Sequence, residues 1–85
     1  MKQFDYTIKD ELGIHARPAG LLAKKAKEFT SVITVSKDGN AAKASQLMKL
    51  MSLGVKQGNV VTVSAEGEDE DAAIAAMQAF FAENL

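Results

Sequence analysis

A chain of 85 residues, 47% hydrophobic and 25% charged, has an ordinary globular balance, fits one small domain over 1–85 and leaves no room for a second core. Its formal net charge of −1 argues against a nucleic-acid partner. With no cysteine, one histidine and no D-x-D-x-D-G run, disulfides, thiolate or His-rich zinc sites and carboxylate calcium loops are excluded, so no metal or cofactor is expected.

Residues 3 to 9 alternate. Phe4, Tyr6 and Ile8 point one way and Gln3, Asp5, Thr7 and Lys9 the other, as in a strand with one buried face. Residues 10 to 15 read as a loop turned at Gly13. From 16 to 28 the pattern is helical. Ala19, Leu22, Ala23 and Ala26 recur at core spacing, and Phe29 closes the stripe. Pro18 lies in the first turn, where a missing N–H costs nothing, which puts the helix start near Ala16 and His15 near the N-cap.

Val32 to Ser36 is a second strand, and Asp38-Gly39 turns into a short third near Ala41 to Lys43. Leu47, Leu50 and Met51 suggest a short helix, opened by Ser45 or Gln46 and stopped by Gly54. Gly58-Asn59 turns into a fourth strand, Val60 to Ala65. The last segment opens G-E-D-E-D, carboxylates suited to a helix N-terminus, and continues with an apolar stripe of Ala73, Ile74, Met77, Phe80 and Phe81. The order is βαββαβα. The short connection between strands two and three argues for an antiparallel or mixed sheet, with three helices on its one buried face, an α+β architecture.

One stretch carries chemistry. G-I-H-A-R-P-A-G, residues 13 to 20, holds the only histidine (His15), the only arginine (Arg17) and the only proline (Pro18). A helix N-terminus presents unpaired N–H groups and a positive dipole end, which suits an anion, phosphate above all. Ala16 and Arg17 would supply N–H donors. The Arg17 guanidinium adds a two-pronged donor that lysine cannot match. Neutral imidazole is a nucleophile, so His15 is a candidate covalent phosphoryl acceptor. The bland alternative makes His15 a surface cap and Arg17 an ordinary first-turn residue.

Arg17, Gly20, Leu21, Lys24 and Lys27 share the helix face opposite the core stripe. A basic face with an apolar spot can steer a partner whatever the net charge. The short second helix adds Leu47, Met48, Lys49 and Met51. Methionine is adaptable where one surface meets several partners, although Met and Leu in a short helix are usually core.

G-I-H-A-R-P-A resembles the active-site motif of the histidine-containing phosphocarrier (HPr) family of the bacterial phosphoenolpyruvate-dependent sugar phosphotransferase system. M-K-L-M-S-L-G-V (residues 48 to 55) and S-A-E-G-E-D-E (64 to 70) resemble its second and third signatures, so the resemblance spans essentially the whole chain. It implies an open-faced β-sandwich with a four-stranded antiparallel sheet, order 1-4-2-3, under three helices. It implies phosphorylation of His15 at Nδ1 by enzyme I, delivery to sugar-specific IIA domains, and a steadying role for Arg17. Docking would use the first-helix face with Leu47, Met48 and Met51, and Lys49 at the rim. The expected protein is a cytoplasmic monomer, without membrane insertion. It acts as a stoichiometric carrier and not as a stand-alone enzyme. Competing readings are a regulatory binding module on the same fold and a carrier for a dedicated non-sugar relay.

The chain departs from the family pattern at Gln46, where many members carry a serine that a dedicated kinase phosphorylates. Ser45 is one place away, and one place at a helix start turns the hydroxyl by about 100°. Regulation at Ser45 is therefore not expected, and a capping role is the simpler reading. Ala16 lacks a hydroxyl sometimes found there, which leaves phosphate contacts to backbone N–H groups. Gly20 lowers helix propensity by about 1 kcal/mol relative to Ala.

Overall fold

The computed structural model describes residues 1–85. The elements are β1 (Lys2–Thr7), α1 (Ala16–Ala26), β2 (Val32–Lys37), β3 (Asn40–Lys43), α2 (Leu47–Ser52), β4 (Val60–Glu66) and α3 (Glu70–Asn84). The sheet runs β1-β4-β2-β3 with every neighbouring pair antiparallel. This is the open-faced β-sandwich of βαββαβα order, its three helices covering one sheet face.

The alternation read from the sequence sets the register. Phe4 stands opposite Val63, Val63 opposite Val35, and Val35 opposite Ala42. That row faces the helices, with Val35, Val63 and Ala42 fully or almost fully buried. A slip of one residue would turn the row to solvent, so burial fixes the pairing. Phe81 of α3 sits over this row at no exposure. It meets Tyr6, Phe4 and Phe80 edge to face, with ring centroids 5.6, 6.0 and 6.1 Å away. The hairpin between β2 and β3 turns at Asp38 and Gly39, both at positive φ (50° and 83°). Two such residues give the turn whose twist matches antiparallel strands.

Two element ends fall two residues short of the sequence reading. β1 ends at Thr7, not Lys9, although Ile8 still pairs: its N–H donates to Asn59 O (2.9 Å) and its carbonyl accepts from Gly58 N (2.8 Å). α1 ends at Ala26, not residue 28. The chain turns out of the helix there because the Asp69 carboxylate takes the N–H groups of Thr30 and Ser31, both at 2.9 Å, and the Ser31 hydroxyl. In α2 only Leu50 is buried; Leu47 and Met51 lie open at 37% and 38%. Six residues make under two turns, too short to bury a whole stripe.

Candidate functional site

The loop before α1 is held from both sides. The Asp10 carboxylate accepts from Leu12 N–H at 2.8 Å, and Gly13 N–H donates to Asp10 O at 3.0 Å. Ile14 N–H donates to Val55 O at 3.2 Å, and both residues are buried. Gly13 makes this possible: its φ is 65°, and the loop passes so near Val55 and Lys56 that a side chain would not fit. His15 follows from this anchored position in an extended conformation (φ −114°, ψ −176°) as the N-cap of α1.

Its imidazole does not act as a cap and makes no hydrogen bond. The His15 carbonyl accepts Ala19 N–H at 2.9 Å. The Ala16 and Arg17 N–H groups have no acceptor within the protein, as expected of a helix start. Pro18 is buried in the first turn, where its lack of a donor is harmless. Arg17 is exposed and forms no ion pair. The site therefore holds a free imidazole, two free backbone donors and a free guanidinium around one helix terminus.

His15, Arg17, Pro18 and Leu21 line a depression of about 350 Å³ together with Asp10, Glu83 and Asn84. No sequence motif marks the last three. The end of α3 is held here: the Leu85 backbone oxygen accepts Lys9 N–H (2.6 Å) and Asp10 N–H (2.8 Å), and the Leu85 side chain is buried. These contacts join residues some seventy-five positions apart, with no local pattern to announce them. The buried, apolar Leu85 was the nearest thing to a sequence signal.

The proposed partner face is open. Leu21 is 46% and Met48 75% exposed, and Lys24, Lys27 and Lys49 are exposed without acidic partners. α1 and α2 pack together, so Leu21, Leu47, Met48 and Met51 belong to adjoining helices. No protein atom lies within 4 Å of where a Gly20 side chain would begin. Packing within the chain therefore does not demand glycine there. Ser45 does not cap α2; the N-cap is Gln46, and its side chain makes no capping bond. Ser45 instead is half-buried in a groove of about 290 Å³ with Lys27, Phe29, Ser31 and Lys43. No cluster of three or more acidic or histidine side chains is placed to hold a metal, and no helix is long and apolar enough to cross a membrane.

The family model described as the "PTS HPr component phosphorylation site" matches residues 2–83. The chain belongs to the HPr family of histidine-containing phosphocarriers. It is similar to the phosphocarrier protein HPr of Mycoplasma genitalium, 41% identical over 85 residues, 99% of this chain and 97% of the relative. Its fold is similar to that of the solved histidine-containing phosphocarrier protein of Mycoplasma, with a TM-score of 0.93 at 35% identity over 96% of this chain and 93% of that one. A solved HPr of Thermoanaerobacter tengcongensis gives a TM-score of 0.88 at 47% identity, both chains covered fully. The function of the chain is that of its family: an HPr carries a phosphoryl group on histidine within the phosphotransferase system, stoichiometrically and without turnover of its own.

Proposed function

We propose that His15 is the phosphoryl acceptor, with enzyme I as donor and sugar-specific IIA domains as recipients. The observation that carries this reading is the environment of the only imidazole, which stands unbonded at a helix N-terminus beside two acceptor-free N–H groups and an unpaired arginine.

In the first step the Nδ1 lone pair of neutral His15 attacks phosphorus in line. The N–P bond to His15 forms as the bond between phosphorus and the donor's carrying group breaks, and that group leaves with its electron pair. The second step is the same displacement with His15 as leaving group. In both, charge gathers on the equatorial phosphoryl oxygens. Ala16 and Arg17 N–H and the Arg17 guanidinium stabilise it there. The partner supplies the rest of each site by docking on Gly20, Leu21, Lys24, Lys27, Leu47, Met48, Lys49 and Met51. A carrier that shows one patch to successive partners works as a monomer of one domain, in the cytoplasm where phosphoenolpyruvate-charged enzyme I is found.

Intact mass after incubation with enzyme I, phosphoenolpyruvate and magnesium tests the reading. One phosphoryl group should be added, lost in acid, and absent from a folded His15→Ala variant. Acid-labile phosphate that persists in His15→Ala would refute the assignment.

A further inference from the structure

The chain has four methionines and no cysteine, so thioether sulfur is its one readily oxidised side-chain group. Their exposures are graded: Met77 is enclosed at 0%, Met51 stands at 38%, Met1 at 69% and Met48 at 75%. Met1 precedes β1, away from the docking helices. Met48 lies on α2 between two other open apolar residues, Leu47 and Met51, on the helix packed against α1 and its open Leu21. Nothing in the core depends on it, since Leu50 is the one buried residue of α2.

We infer that Met48 is an oxidation site at which peroxide weakens partner docking without unfolding the chain. The step balances: hydrogen peroxide gives one oxygen atom to the thioether, sulfur is oxidised by two electrons, the O–O bond breaks and water leaves. Methionine sulfoxide reductases reverse it with a thiol reductant. The product replaces a pliable apolar contact with a strong S–O dipole, which must lose its water when a partner covers it. The inference rests on the docking reading proposed above.

The test treats the chain with graded hydrogen peroxide. Peptide mass mapping should show sulfoxide at Met48 and Met1 ahead of Met51, with Met77 unmodified. With an enzyme I verified to take phosphate from phosphoenolpyruvate, the KM for the oxidised chain should rise roughly three- to tenfold over that for the untreated chain while kcat holds. Reduction by the two epimer-specific reductases should restore it. Met48→Leu, whatever its own starting KM, should show no change on peroxide treatment. An unchanged KM with Met48 oxidised overturns the inference, as does peroxide sensitivity that survives in Met48→Leu. So does a fall in Tm on oxidation, which would make unfolding the cause. Failure of the untreated chain to be charged refutes instead the phosphocarrier reading of His15, and this inference with it.

Discussion

Gly13 and Gly54 share a φ of 65° in different surroundings, and the pair separates a backbone cost from a steric one. A Cβ added at Gly54 meets nothing within 4 Å. Gly54→Ala therefore costs only the left-handed conformation, about 1 kcal/mol. A Cβ added at Gly13 would stand 2.2 Å from Val55 O, 2.7 Å from Lys56 Cα and 2.9 Å from Val55 C. These are backbone atoms, so no rotamer change relieves the clash. Reaching van der Waals distance moves residues 55 and 56 by on the order of 1 Å. That breaks the Ile14 N–H to Val55 O bond, worth about 0.5–1.5 kcal/mol. It also disturbs the packing of two buried side chains, at about 1–3 kcal/mol.

Gly13→Ala is thus expected to lose about 3–5 kcal/mol against about 1 for Gly54→Ala. That is a large part of the roughly 4–13 kcal/mol typical of a chain this size. Equilibrium urea unfolding followed by circular dichroism reads both losses from midpoint and slope. Equal losses at the two positions would refute the steric argument and leave only the φ angle.

Three other expectations follow from particular contacts. The Ser31 hydroxyl first, then Thr30 N–H, hold the Asp69 carboxyl down from 3.8 to about 2. Its folded pKa lies below the unfolded value, so its stabilisation is complete above about pH 4 and is lost as pH falls through about 2. Urea midpoints across that range should fall more steeply for the wild type than for Asp69→Asn; parallel curves would contradict it. Arg17→Lys keeps charge but loses the two-pronged geometry, so it should slow transfer by about tenfold or more while changing docking little. Unchanged single-turnover rates would show that the guanidinium does not clamp phosphate. A serine kinase that modifies other family members should add no phosphate to this chain, because Ser45 is half-buried and precedes the N-cap; stoichiometric phosphate on Ser45 would overturn that.

Wherever burial follows a local period, the sequence announced the structure. Phe4 and Tyr6 in β1, the Ala19–Leu22–Ala23–Ala26 stripe of α1, and Ala73, Met77 and Phe81 in α3 all face the core as their spacing requires. Asp38-Gly39 was readable for the same reason, since few residues adopt positive φ in succession. What the sequence hid is non-local. The G-E-D-E-D run suggests carboxylates attracted to a helix dipole. Asp69 does hold the N-cap position, but its side chain makes no cap and reaches across to Thr30 and Ser31. In α2 the spacing of Leu47, Leu50 and Met51 suggests one stripe, but a helix that short at the edge of the fold buries Leu50 alone and leaves Leu47 and Met51 open. At the site, His15 and Arg17 were legible as unusual residue types in a capping context. Asp10, Glu83 and Asn84 were not, because only the sheet order and the pairing of Lys9 and Asp10 with Leu85 bring the end of α3 to the start of α1.

That convergence has an electrostatic consequence for a carrier. The N-terminus of α1 offers a positive dipole end, free N–H donors and Arg17, while the C-terminus of α3 offers a negative dipole end and Glu83 to the same depression. A phosphoryl group on His15 would be held from one side and repelled from the other. Such balance suits a group that must be accepted and then released, since a site that only attracts becomes a trap. Glu83→Gln removes one repelling charge without touching the core, as Glu83 is exposed and unpaired. The acid-labile phosphate should then persist about two- to fivefold longer at neutral pH, the scale of one exposed charge. Raised salt should narrow the difference between variant and wild type, because exposed charges are screened. Equal lifetimes at low salt would show that the end of α3 shapes the depression and exerts no electrical force on what it holds.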